Sequence, residues 1–173
     1  LYQEERTMKV LVAYYSDTGN TQKVADAIYD AVGESEKEIC LAKEASNLSD
    51  YDLIFCGFPV QSMGLPGKME EFVKGIPEGK KVAFFATHGS LRGGALAITA
   101  FFAALSLSKN LKVMGTFGCR GVVKQAIVDA LLKKAEHRGW ALEAQSAVGH
   151  PDEADLEDAK AFAMTIVTKA RAK

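Results

Sequence analysis

The 173-residue chain has no excess of either charge: 21 Lys and Arg stand against 22 Asp and Glu. That balance argues against a nucleic-acid binder or a surface that steers polyanions. No apolar run approaches the 18 residues of a membrane span. The opening "LYQEERTMKV" lacks the apolar stretch of a signal peptide. It reads as an extension over residues 1–7 ahead of a single domain over 8–173. Cysteine is scarce. Cys40, Cys56 and Cys119 are far apart, odd in number and in no C-x-x-C pair. They are expected to be small core residues in a reducing cytoplasm, not a disulfide framework or a metal site.

Apolar runs without alternation recur at 10–15 (VLVAYY), 53–58 (LIFCGF), 82–86 (VAFFA) and 113–117 (VMGTF), with a weaker one at 38–42. Short runs of this kind, closed by Gly, Ser or Thr, predict strands buried on both faces. Helical patterns alternate with them. Val24, Ala27, Ile28 and Ala31 share a face, as do Met69, Phe72, Val73 and Ile76. A third helix is expected over about 94–107. A fourth, over about 122–137, carries Val123, Ala126, Ile127, Ala130 and Leu131. The last carries Leu156, Ala159, Ala163, Ile166 and Val167, with Asp152, Glu153 and Asp155 at its positive end. Strand–helix alternation of this length predicts an α/β fold: an open, doubly wound parallel sheet with helices on both faces.

In such a sheet a ligand lies beyond the carboxyl ends of the strands, where strand order reverses. The loops there read SDTGNT (16–21), GFPVQSMGLPG (57–67) and THGSLRGG (87–94). All are rich in glycine and small polar groups. None holds an acid–base pair or a metal cluster. Ser16, Thr18, Asn20 and Thr21 gather hydroxyl and amide donors around Gly19 at the start of a helix, where unpaired N–H groups already attract phosphate. The alternative is an ordinary capped turn with Thr18 or Asn20 as N-cap, which accounts for one or two of the four polar residues. No Walker-type G-x-x-x-x-G-K-[ST] and no G-x-G-x-x-G follow strand one. The end of strand three, Cys56-Gly57-Phe58, lacks the acid a phospho-acceptor receiver domain needs.

SDTGNT matches the T/S-x-T-G-N-T phosphate loop of the flavodoxin family at Ser16, Thr18, Gly19, Asn20 and Thr21. The segments YDLIFCGFPV and KKVAFFATHGS resemble that family in order and spacing. So does the closing GHPDEADLEDAKAFA. The resemblance implies a five-stranded sheet of order 2-1-3-4-5, non-covalent FMN, and electron exchange with redox partner proteins. Ser16, Asp17, Thr18, Gly19, Asn20 and Thr21 would surround the FMN phosphate. Pro59, Val60, Gln61, Ser62, Met63 and Gly64, with Thr87, His88, Gly89, Ser90, Leu91 and Gly93, would flank the flavin ring. Met63-Gly64 would form the small-residue turn beside flavin N5, where glycine tolerates positive φ.

Three features depart from the family. Residues 57–67 offer only Phe58 as an aromatic and 87–100 offer none. The chain is near neutral where flavodoxins are acidic. A helix at about 122–137 is inserted before the closing helix. An NAD(P)H-dependent flavin or quinone oxidoreductase on the same fold is therefore the alternative to an electron carrier. His88 reads equally as a ligand contact or an ordinary loop residue. Arg92 reads as a solvated arginine or a charge near the flavin, and Cys119 as an inert thiol. His137 and His150 are expected at the surface or in caps, and Trp140 in the packing of the inserted helix.

Overall fold

The computed structural model describes residues 6–33 and 35–172. Of the extension expected over 1–7, residues 1–5 lie outside the described residues. Arg6 pairs with Asp52.

Five strands form one sheet: β1 (Lys9–Tyr14), β2 (Glu36–Leu41), β3 (Leu53–Pro59), β4 (Lys81–His88) and β5 (Lys112–Arg120). Their order is β2-β1-β3-β4-β5, and every neighbouring pair is parallel. Order reverses between β1 and β3, so the switch point falls at the loops after those two strands. Parallel neighbours need crossovers, and helices α1 (Asn20–Ala31), α2 (Gly67–Lys74) and α3 (Ala95–Leu107) supply three of them.

Each face of the sheet carries its own core. On one, Val10, Val12, Phe55 and Phe85 pack against Val24 and Ile28 of α1 and against Ala159, Ala163 and Ile166 of the closing helix. On the other, Leu11, Ile54, Phe58 and Phe84 pack against Met69, Phe72 and Val73 of α2 and Ala100 and Ala104 of α3. Alternate residues of one strand serve opposite cores, which is why the strands read as unbroken apolar runs.

Two strand ends lie further along than the apolar runs suggest. β4 continues through Thr87 and His88, and β5 through Cys119 and Arg120, because His88 and Arg120 still pair in the ladder. Polar residues can extend a strand where the ladder supplies backbone partners.

The helix expected over about 122–137 is shorter, α4 (Gln125–Leu132), and a tight turn at Ala135–His137 leads into a further helix that was not expected, α5 (Arg138–Gln145). Lys134 adopts an extended backbone, φ −112 and ψ 119, which ends helical propagation. The two helices pack on each other, burying Val128 of α4 and Ala141 and Ala144 of α5. Trp140, expected in the packing of the inserted helix, stacks on His137, centroids 5.3 Å apart and planes at 10°, and stays 42% exposed.

The closing helix, α6 (Glu153–Arg171), starts with a capping box. Asp152 Oδ1 accepts from Asp155 N at 2.9 Å, and Asp155 Oδ2 accepts from Asp152 N at 3.0 Å. His150 Nδ1 lies 2.6 Å from Asp155 Oδ2, placing that histidine in the cap.

Candidate functional site

The loop after β1 is shaped by Gly19. It occupies the N-cap of α1 with φ 92 and ψ −6, a left-handed conformation that glycine adopts without strain. No side chain caps the helix. This differs from the capped turn with Thr18 or Asn20, and it leaves the helix start open. The first intrahelical bond runs from Lys23 N to Gly19 O. The N–H groups of Asn20, Thr21 and Gln22 therefore precede helical pairing. Gly19 N itself donates to Ser16 Oγ at 3.1 Å.

The polar side chains of the loop divide in role. Thr18 and Asp17 are exposed. Asn20 and Thr21 are buried and already paired across the fold. Asn20 Nδ2 donates to Val122 O at 2.9 Å. Thr21 Oγ1 and Thr87 Oγ1 lie 2.8 Å apart. In such a hydroxyl pair one proton is shared and the other is left free to donate elsewhere.

A cleft of about 120 Å³ brings these loops together. Its walls are Asp17, Thr18, Asn20 and Thr21; then Pro59, Val60 and Gln61; then Thr87, His88 and Gly89. A fourth wall was absent from the sequence-based set: Gly121, Val122, Val123, Lys124 and Ile127. That wall belongs to the inserted segment. No local motif marks it, because it reaches the cleft through contacts about a hundred positions away in sequence. Its apolar stripe pointed only to a helix.

The other expected residues lie outside this lining. Ser16 and Gly19 shape the loop from behind. Gln61 and Gly64 exchange backbone bonds at 3.1 and 2.9 Å around a two-residue turn. Positive φ falls on Ser62 (49) and Met63 (62), not on Gly64. The turn is thus centred one residue earlier than Met63-Gly64. Leu91 N donates to Glu143 Oε2 of α5 at 3.2 Å. Gly93 turns the chain into α3 with φ 70.

His88 is 4% exposed. Its Nδ1 lies 3.0 Å from the Ser90 carbonyl, which only accepts, so Nδ1 carries the proton. Nε2 is without a partner among the described residues and lies close against Gly118. Burial lowers the pKa of His88, and Arg120 and Arg92 lower it further against the raising effect of the Ser90 bond. The ring is neutral and held inward.

Arg92 is not a free charge at the cleft. Its Nε donates to Gly118 O at 3.0 Å, its Nη1 pairs with Asp158 at 2.6 Å, and its guanidinium lies over Phe117. Burial pushes the Cys119 thiol up to about 12, so it stays protonated and inert as expected. Phe58 is fully buried and packs edge-on against Phe101, away from the cleft.

The parallel sheet, its switch point and a glycine-turned helix start facing a cleft define a doubly wound α/β protein with a cleft at the strand ends. Comparison with known proteins narrows the class. The flavodoxin domain family model matches residues 11–164, and the chain belongs to that family. It is 32% identical over 178 residues to the flavodoxin-like domain-containing protein BilS of Clostridioides difficile, covering 94% of this chain and 98% of that protein. Among solved structures it resembles oxidised flavodoxin 2 from Bacillus cereus, with a TM-score of 0.61 and 22% identity over 93% of this chain and 99% of that one. It also resembles a flavoprotein in complex with FMN from Lactobacillus acidophilus, with a TM-score of 0.54 and 19% identity over 72% of this chain and 98% of the other.

Proposed function

We propose that the protein binds FMN non-covalently in this cleft and carries electrons between redox partner proteins. One observation carries the reading. The N-terminus of α1 has no side-chain cap among the described residues, and its first N–H groups and the exposed Thr18 hydroxyl are left for a ligand in the cleft. That donor set suits a phosphate, which binds helix starts through backbone N–H groups and the local positive dipole. Thr18 and the free proton of the Thr21–Thr87 pair add hydroxyl donors. Val60 and Val123 supply apolar surface further along the cleft.

When bound, FMN supplies the redox chemistry. The chain's own task is to anchor the phosphate, hold the loops at fixed spacing and exclude water. The Thr21–Thr87 pair and the bond from Val60 N to Thr87 O at 2.9 Å tie the three loops together at their base.

A second reading is an NAD(P)H-dependent flavin or quinone oxidoreductase. It is favoured by the cleft lining, which among the described residues holds no Phe, Tyr or Trp that would cover a flavin face. Titration of the apoprotein with FMN and with riboflavin tests the shared premise. FMN should bind much more tightly, and equal affinities would remove the phosphate site from the argument.

A further inference from the structure

We propose that Lys124 supplies the positive charge at the phosphate end of the cleft, and that it offsets the neighbouring carboxylate of Asp17. The inference rests on the FMN reading and goes beyond it. The phosphate loop itself has no cation, so any positive side chain must come from elsewhere in the fold.

The segment between β5 and α4 is pinned to the site along its length. Gly121 N donates to His88 O at 2.9 Å, and Val122 N to His150 O at 2.9 Å. The Val122 carbonyl takes the Asn20 amide at 2.9 Å. Gly121 lies so close to Asn20 that a Cβ there would fall 2.8 Å from its Nδ2, so a larger residue would push the Asn20 side chain aside. These bonds limit where Lys124, two residues beyond Val122, can reach. Its Nζ sits 3.3 Å from Asp17 Oδ2. Both side chains line the cleft beside Thr18, and both remain about half exposed, 55% for Lys124 and 51% for Asp17. Among the described residues Lys124 is the one charged cation in that lining, since His88 is neutral.

The charge arithmetic makes the role specific. A phosphate monoester carries about −1.5 to −2 charges near neutral pH. Asp17 lies inside the loop that would receive it. Without Lys124 the incoming phosphate meets an uncompensated carboxylate. With Lys124 the local charge is balanced, and the ammonium can be shared between carboxylate and phosphate. Salt screens such partly exposed charges over about 10 Å at 0.1 M.

The test is a titration of apoprotein variants with FMN and riboflavin at low and at moderate salt. Lys124→Met should lower FMN affinity about tenfold, as expected for loss of a charged partner, and leave riboflavin affinity unchanged. Salt should weaken FMN binding in the parent, while in Lys124→Met the dependence should flatten or reverse, because only repulsion from Asp17 remains to be screened. Lys124→Arg should retain the parent affinity. Asp17→Asn should tighten FMN binding, and Asp17→Asn combined with Lys124→Met should recover most of the single-variant loss. If Lys124→Met binds FMN as tightly as the parent while the parent still prefers FMN to riboflavin, this inference is overturned and the FMN reading stands. If the parent shows no preference for FMN, the FMN reading fails, and this inference with it.

Discussion

At the scale of single residues, the phosphate loop separates into groups that build the site and groups left to bind. Thr21 is 1% exposed and its hydroxyl meets that of Thr87. Thr87→Val would leave the Thr21 hydroxyl without its partner, at a cost of about 1–3 kcal/mol in denaturant unfolding. Thr87→Ser should recover most of it. Thr18 is exposed, so Thr18→Ala should change stability by less than about 0.5 kcal/mol. The same substitution should weaken FMN by about 1–3 kcal/mol if the hydroxyl donates to the phosphate. Measuring both quantities on one variant separates binding from folding. The sequence shows the loop's composition but not this division. Asn20 reads as a phosphate donor or a cap, whereas one of its two amide hydrogens donates to a carbonyl 102 positions away.

His88 adds a pH dependence. Its pKa in the folded protein lies below the ordinary 6.5 because the ring is buried near Arg120 and Arg92. Below about pH 6.5 the unfolded chain takes up a proton that the folded chain refuses. Stability should therefore be full above that pH and decline as pH falls toward the folded-state pKa. Urea unfolding at about pH 7.5 and about pH 5.5 measures the decline, and His88→Asn should flatten that part of the profile. An equal decline in the variant would assign the effect to other groups.

At the scale of elements, the strands and most helices were legible because they obey simple periods. The doubly buried strands read as continuous apolar runs, and α1 and α2 show one-sided stripes. What was not legible is where tertiary contacts override local pattern. The stripe of α4 continues toward residue 137, but the chain breaks at Lys134 and α5 folds back on α4. The extra strand residues are strand because of their neighbours: Thr87 pairs with both β3 and β5, and His88 with β5. The Ser62–Met63 turn is a third case. Two non-glycine residues take positive φ in a tight turn that glycine and asparagine serve better. Replacing Ser62-Met63 by Asn-Gly should raise stability by about 1 kcal/mol, read as a shift in the unfolding midpoint. No gain would mean that contacts of Ser62 or Met63 outweigh the strain.

At the scale of the whole molecule, the near-cancellation of charge governs how the protein would meet a charged partner. A formal net charge of −1 over 173 residues produces little long-range field. If the protein is a carrier, its electron exchange with a partner should depend only weakly on ionic strength, because weak steering leaves little for salt to screen. A carrier should also be reduced slowly or not at all by NADH or NADPH alone, since the nicotinamide would need a binding surface of its own above the flavin. Anaerobic mixing of the FMN-loaded protein with each nicotinamide, followed by the loss of the flavin's visible absorbance, distinguishes the two readings. Slow bleaching with either nucleotide, and fast bleaching with dithionite or a reductase, is the expected result. Rapid bleaching by one nucleotide, with turnover when a quinone is added, would show that the aromatic-free cleft admits a second planar ligand. The protein would then be an oxidoreductase in its own right, and the weak field would matter for a small substrate instead of a protein partner.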